Sequence, residues 1–197
     1  MKKYIFYIRL LIFLLGRLNF STKSVKEFCI KTKKYNPNDY HARFLLAELH
    51  RSEGKNTEAI EEYNKLIKYG YKNVRVIYGI AMASFKEQRY DEAQRYFKMI
   101  LENNFNNKVA LDHLGRINLV KKKYHEAIMY FEQSLKLTPK DPLILENIAY
   151  CYYNIADYKK SYATYREAFE LNPSLELEKH MSESRERCEC EERDVKD

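Results

Sequence analysis

The chain has 197 residues, of which 45% are hydrophobic and 32% charged, so it can bury a core as one domain or one short repeat array. Only five Gly and four Pro occur, which argues against a loop-rich β architecture and favours helices. The net charge of +7 arises mainly in residues 1–39, where nine Lys or Arg accompany two acids, so the body lacks the concentrated basic charge of a nucleic-acid binder.

Residues 1–20, MKKYIFYIRLLIFLLGRLNF, allow three interpretations. A cleaved signal peptide would need a small-x-small cleavage site, which does not follow the apolar run. A membrane anchor is consistent with an apolar body and cationic flanks, although Arg9 and Arg17 interrupt the ~20 apolar residues that a full span needs. A helix packed on the end of the folded body is the favoured interpretation. It predicts a cytoplasmic protein, with membrane association as the alternative.

Residues 21–39 predict the second helix of a degenerate repeat. The segment SVKEFCIKTKKYNP begins at Ser24, which with Glu27 fits a capping box, and ends at Pro37, which would stop the helix. The first helix of this repeat would lie within residues 1–20.

A pattern with a period of 34 residues fills residues 40–175. Each unit has an aliphatic–small pair, a second small residue twelve positions after the first, and an aromatic residue four positions later. Apolar residues three and four apart form one helical face, so each unit predicts two helices that cross closely at the small residues. A lone helix pair cannot bury its apolar face, and such units therefore stack. The later small positions are Ala59, Ala93, Ala127 and Ser161; the aromatic positions are Tyr63, Phe97, Phe131 and Tyr165; the earlier small positions are Ala47, Ala81, Gly115 and Ala149.

These residues resemble the tetratricopeptide repeat (TPR), a helix–turn–helix motif of about 34 residues. The four copies are 40–73, 74–107, 108–141 and 142–175. The resemblance implies an all-α fold, a right-handed α-solenoid of stacked antiparallel helix pairs. Trp is absent, Tyr71 and Phe105 stand where a closing Pro is usual, and Ser161 replaces an Ala. We interpret these departures as ordinary drift.

Residues 176–197 predict a C-terminal capping helix and a charged tail. Leu175, Leu177 and Met181 are spaced to lie on one helical face, which predicts a helix that ends near residue 184. The mixed charges beyond it are typical of a frayed or disordered tail.

Reactive constellations are missing from the sequence. The five Gly are isolated, so no Gly-rich phosphate loop is possible, and the five His lack the spacing of metal ligands. The pair of Cys188 and Cys190 has no further ligands nearby. Cys29 and Cys151 are expected to be small core residues, and the four cysteines without disulfide spacing indicate a reducing compartment. The sequence therefore predicts no enzyme, no metal and no cofactor.

The resemblance implies a concave groove lined by the first helix of each pair. The residues that would face it are aromatic, aliphatic or charged side chains that the repeat does not need for its own packing. They predict an adaptable apolar floor with cations for acidic ligand groups, unless some of them pack on a neighbouring helix instead. The predicted groove residues are Phe44, Glu48, Arg51, Arg75, Tyr78, Met82, Phe85, Lys86, Asp112, Arg116, Leu119, Glu146, Tyr150 and Tyr153, with His41, Val109 and Leu143 at the helix starts.

The leading hypothesis is a non-catalytic scaffold that binds a peptide or helical segment of a partner protein in this groove. TPR domains that grip the C-terminal carboxylate of chaperones use Lys and Asn where this chain has Phe44 and Glu48, which argues against that clamp. One alternative is a membrane-tethered assembly factor anchored by residues 1–20. Another is an RNA-binding helical repeat, although no nucleic-acid partner is expected. Self-association is possible through the groove or the end faces.

Overall fold

The computed structural model describes residues 22–194, which hold ten α-helices and no strand. The all-α prediction is confirmed, while residues 1–20 and the interpretations of them lie outside the described residues. Within this described stretch, no helix is both long and apolar enough to cross a membrane. The helices are α1 (Thr22–Tyr35), α2 (Tyr40–Ser52), α3 (Asn56–Lys68), α4 (Val74–Lys86), α5 (Tyr90–Asn103), α6 (Lys108–Val120), α7 (Tyr124–Leu137), α8 (Pro142–Asn154), α9 (Tyr158–Leu171) and α10 (Leu175–Asp194).

The starts of the helices repeat every 34 residues, for α2, α4, α6 and α8 and again for α3, α5, α7 and α9. The cause of the first series is a side-chain cap immediately before each helix. Each capping Asp or Asn accepts a hydrogen bond from a backbone N–H in the first turn, which satisfies a donor that the helix itself leaves unpaired. The capping residues are Asp39, Asn73, Asn107 and Asp141.

The turn inside each helix pair has a left-handed residue at the same register. Their φ angles are +75° at Gly54, 58° at Gln88, 57° at Lys122 and 62° at Ala156. The N–H of the following residue bonds back to the last turn of the first helix, as Lys123 does to the Asn118 carbonyl at 2.8 Å. Only the first of these four turns has Gly, the residue that adopts this conformation without steric cost.

Two compact units divide between Tyr96 and Phe97, inside α5. In the first unit (residues 22–96) the Tyr63 ring lies so close to Gly79 that an added Cβ would meet its Cζ atom at 2.3 Å. In the second unit (residues 97–194) the Phe131 ring approaches Gly115 equally closely, at 2.4 Å. In each unit an aromatic residue of the repeat thus packs against a glycine of an adjacent helix.

In the first unit, α1 packs on α2 and is held by ion pairs as well as by its apolar face. Lys33 lies 2.9 Å from Glu62, whose other oxygen accepts a hydrogen bond from the buried guanidinium of Arg43. Because α1 already begins at Thr22, the backbone at Ser24 is inside the helix, and the predicted capping box is wrong. Pro37 follows the end of α1 by two residues, which agrees with the predicted stop.

In the second unit, α10 continues to Asp194, so the prediction of a disordered tail beyond residue 184 is wrong. Glu and Arg residues, which favour helix formation, extend it, and exposed pairs such as Arg185 with Glu189, 2.8 Å apart, add a small stabilisation. Leu177 is buried as predicted, but Leu175 is 85% exposed because it is the first residue of the helix.

Ser161 belongs to the contact between α9 and α10 and is not drift. Its hydroxyl donates to the Ala149 carbonyl at 3.0 Å and lies 3.0 Å from the hydroxyl of Ser184, and both serines are fully buried. A polar residue at this small position therefore holds the C-terminal helix by a hydrogen bond that Ala could not make.

Cys29 and Cys151 are small core residues, as predicted. Burial raises the pKa of the Cys29 thiol to about 11, assisted by the charge of Asp39, and the pKa of the Cys151 thiol to about 12. Both are therefore protonated and unreactive near neutral pH.

Candidate functional site

The predicted groove residues lie along the first helices, α2 and α4 in the first unit and α6 and α8 in the second, and we name these sets the inner rows. None of them is buried. The capped helix starts position them along each helix, and their spacing of three and four residues places them on one helical face. Their neighbours differ between the two units.

In the first unit, both oxygens of Glu48 are occupied by side chains of the protein. The Tyr63 hydroxyl donates to one oxygen, and Arg51 donates to the other at 2.7 Å. The hydrogen bond to Glu48 raises the pKa of Arg51, while burial and then the same carboxylate raise the pKa of Tyr63. The carboxylate of Glu48 is therefore paired within the protein and is not a free acid.

An aromatic cluster occupies the start of the same row. The Phe44 ring stacks on Tyr40 with centroids 5.7 Å apart and meets Tyr63 edge-on at 6.0 Å. The Arg75 guanidinium from α4 lies over Phe44, 5.3 Å from the ring centre. Such a cation–π contact contributes about 0.5–1 kcal/mol at an exposed site. Phe44 and Arg75 thus bind each other in the structure.

On α4, Tyr78, Met82 and Phe85 are half-buried and Lys86 is exposed. Phe85 packs edge-on against Tyr90 with centroids 5.9 Å apart. This part of the first unit is the more apolar stretch of its inner row.

In the second unit, Asp112 is held by neighbours while Arg116 is exposed. The Ser134 hydroxyl donates to one oxygen of Asp112, and Lys108 lies 2.7 Å from the other. Lys108 also reaches Asp141 at 3.2 Å. Although burial lowers it, the pKa of Lys108 is raised overall by these two carboxylates, so the three charges hold the start of α6 beside that of α8.

An open cleft of about 290 Å³ follows along the second unit. Its walls bring together four residues of the predicted row, and two of them are strongly exposed: Leu143 at 64% and Tyr150 at 43%. The buried ring of Tyr165 lies 5.5 Å from that of His180. We name it the apolar cleft; it is lined by Leu119, Leu143, Glu146, Asn147, Tyr150, Tyr165 and His180.

A second cleft, of about 520 Å³, lies between the C-terminal part of α8 and α10. Tyr153 is its aromatic wall, and the interaction of Arg187 with the Tyr153 side chain raises the pKa of Arg187. We name it the acidic cleft; it is lined by Tyr153, Glu183, Glu186, Arg187 and Cys190.

The residues that α10 contributes to these clefts were missed by the sequence prediction, which ended the repeats at residue 175. The signal was present, because His180 follows Glu146 by 34 residues and Arg187 follows Tyr153 by 34 residues. Extending the register by one more first helix would have found both.

The arrangement can bind side chains, and its described residues hold no recognisable reaction centre. Across residues 22–194, no group of three or more His, Cys, Asp or Glu residues could hold a metal ion. The clefts offer tyrosine rings, aliphatic side chains and carboxylates, which are the groups that recognise a peptide.

Sequence models of the tetratricopeptide repeat match residues 32–73 and 44–107, and again 110–141 and 144–175. The chain belongs to the tetratricopeptide repeat family. Its fold is the all-α helical-repeat solenoid of that family, and a TPR chain of this kind is a protein–protein interaction scaffold.

Solved TPR structures share the fold at low sequence identity. YrrB, described as a TPR protein with an unusual peptide-binding site, has a TM-score of 0.76 at 18% identity, over 86% of this chain and 87% of YrrB. MamA from Desulfovibrio magneticus RS-1 has a TM-score of 0.65 at 18% identity, over 73% of this chain and 85% of MamA. A TPR protein from Parabacteroides merdae scores 0.72 at 18% identity, over 85% of this chain and 67% of that one. A search of curated protein sequences gives no significant match.

Proposed function

We propose that this TPR protein is a non-catalytic scaffold that binds a peptide or helical segment of a partner protein along the inner rows of its first helices. The observation that carries the proposal is the apolar cleft, where Leu143 and Tyr150 expose 64% and 43% of their surface beside a concave wall. Large apolar side chains that lie outside the core and are exposed at a cleft are the usual anchors of a protein interface.

Affinity capture from native lysate tests this proposal. The full-length chain is compared with two inner-row variants, Tyr78→Ala/Phe85→Ala in the first unit and Leu143→Ser/Tyr150→Ser in the second. A matched control, Val120→Ser/Met129→Ser, removes side chains that are 49% and 58% exposed but lie outside the inner rows. Circular dichroism confirms that each variant is folded.

We expect a partner that the full-length chain and the control retain and that at least one inner-row variant loses. Truncation of an interface anchor costs about 2 kcal/mol or more, a weakening of roughly 30-fold. If the same proteins bind all four chains equally, the inner rows are not the binding site.

A second candidate function, a membrane-tethered assembly factor, is favoured by the sequence of residues 1–20, where an apolar run lies between Lys2, Lys3 and Arg17. Such a segment can bind an anionic membrane surface. Deletion of residues 1–20 should then move the protein from the membrane fraction to the soluble fraction without loss of helical signal. Aggregation of the shortened chain would instead mean that the segment belongs to the core.

A further inference from the structure

We propose that the apolar and acidic clefts of the second unit together select a basic amphipathic segment, with one large apolar side chain and a Lys or Arg about one helical turn away. The proposal rests on the function proposed above and adds the chemistry of the partner. The occupant is a segment of another protein.

The two clefts follow one another along α8 and α10. Tyr150 lines the apolar cleft and Tyr153 the acidic one, and three residues on a helix are about 4.5 Å apart along its axis. On α10, His180 and Glu183 have the same relation. A ligand side chain in the first cleft therefore places the ligand's next turn at the second.

The size of the apolar cleft suits one side chain. A volume of about 290 Å³ is that of roughly ten water molecules, and small-molecule sites commonly measure ~300–1,000 Å³. Leu119, Leu143 and Tyr150 supply its apolar contacts. This cleft fits a Leu, Met or Phe of the partner better than a cofactor.

The charges around both clefts favour a cation. Glu146, Glu183 and Glu186 line them, while Arg187, which interacts with Tyr153, is a charged base in their walls. Lys179 forms an ion pair with Glu183 at 3.8 Å, so three carboxylates face two bases and the carboxylates remain in excess.

The rings of Tyr150 and Tyr153 strengthen this preference. An aromatic face attracts an ammonium or guanidinium group and repels a carboxylate. A Lys or Arg beside the apolar anchor would meet both the rings and the acids, whereas a Glu in that place would be repelled.

Binding of synthetic peptides to the full-length chain, measured by fluorescence anisotropy, tests the proposal. Three peptides share a stripe of Leu and Phe at helical spacing and carry Lys, Gln or Glu one turn from each anchor. The test variant is Glu146→Gln/Glu183→Gln/Glu186→Gln. The control Glu61→Gln/Glu102→Gln/Glu126→Gln removes the same charge from three exposed carboxylates outside the clefts. Leu143→Ser/Tyr150→Ser removes the apolar anchor site.

We expect the Lys peptide to bind at least about tenfold more tightly than the Glu peptide, and added salt to reduce the difference. The test variant should weaken the Lys peptide by about tenfold while the control leaves its affinity unchanged.

Two other results would overturn the proposal in different ways. If the Gln or Glu peptide binds as tightly as the Lys peptide and Leu143→Ser/Tyr150→Ser weakens it, the groove function stands and the preference for a basic segment is wrong. If neither cleft variant changes the binding of any peptide, the clefts are not a binding site, and the function proposed for this row is wrong as well.

Discussion

In the first unit Phe44 and Glu48 contact other charged or aromatic side chains of the protein, whereas in the second unit the corresponding residues, Glu146 and Tyr150, line an open cleft. Glu48 is bonded to Tyr63 and Arg51, but Tyr150, at the same register three repeats later, is 43% exposed. Phe44 is covered by Arg75, while Glu146 lines a cleft. The repeat register places a residue on the inner row, and its neighbours decide whether it is exposed or bonded within the protein.

The contrast extends to the core. Arg43 and Glu62 form a buried ion pair in the first unit, and the residues 68 positions later in the second unit are Leu111 and Tyr130. The same two positions of the repeat thus hold charged residues in the first unit and uncharged residues in the second.

Breaking this ion pair is expected to have the largest effect on stability. Glu62→Ala leaves the Arg43 charge buried without its partner, which should lower the free energy of unfolding by about 3–5 kcal/mol. Chemical denaturation followed by circular dichroism measures it. The control Glu61→Ala, at the exposed neighbouring position, should change stability by less than about 0.5 kcal/mol.

Replacement of both partners by their second-unit counterparts separates the effect of the charges from that of the broken pairing. Arg43→Leu/Glu62→Tyr should recover most of the loss, because a buried pair replaced by apolar side chains is commonly near neutral. A double variant as unstable as Glu62→Ala alone would show that the charges themselves, and not the broken pairing, stabilise the first unit.

The pair also predicts a dependence on pH. Burial raises the pKa of Glu62, but the hydrogen bond from Lys33 and the charges of Lys33 and Arg43 bring this pKa below its ordinary value. A lowered folded-state pKa means that this contribution is fully present above the ordinary value of about 4.3 and is lost as the pH falls through the folded value. Glu62→Ala should therefore be less sensitive to acid than the parent chain when unfolding is measured at decreasing pH.

The next effect concerns the close helix crossings, which both units share. Ala59→Leu in the first unit and Ala127→Leu in the second each force extra methylenes into a fully buried site, at a cost of about 1–3 kcal/mol. The exposed Lys122→Ala should cost almost nothing. Thermal unfolding of all three variants measures the effects, and losses equal to that of Lys122→Ala would mean that the repeat register is wrong.

Ser161→Ala tests the polar crossing that is specific to the second unit. It leaves the buried Ser184 hydroxyl without its partner and should cost about 1–3 kcal/mol, although it restores the usual residue of the repeat. Ser161→Ala/Ser184→Ala leaves no orphaned hydroxyl and should cost less than the single change. Urea unfolding of both variants decides the point, and a double variant worse than the single one would contradict the assigned pairing.

Substitutions at the left-handed turn residues are expected to have the smallest effect on stability. Ala156→Gly in the second unit should stabilise the protein by about 1 kcal/mol, because Ala is strained at a φ of 62°. Gly54→Ala in the first unit should destabilise the protein by a similar amount, because its φ is +75°. An added Cβ would meet nothing within 4 Å, so backbone strain is the cause of this loss. Changes of the same sign in melting temperature would show that something other than backbone strain governs these turns.

The sequence by itself determined the helices, their pairing and the family, because these depend on local periodicity. The small and aromatic residues at a period of 34 predict the close crossing at which the Phe131 ring meets Gly115. The Asp and Asn caps and the recurrent left-handed turn positions are equally periodic, although the sequence prediction did not use them.

Only the tertiary structure decided which inner residues are available, since that depends on partners from other helices. Glu48 is bonded to Tyr63 on the next helix as well as to Arg51. Ser161 is bonded to Ser184 of α10, so both contacts join residues that are far apart in sequence. The helical continuation to Asp194 depends on pairs between side chains that composition alone describes as a mixed-charge tail. A repeat period places a side chain on a face of its helix, but the electrostatic and packing partners that occupy or expose it come from the folded neighbours.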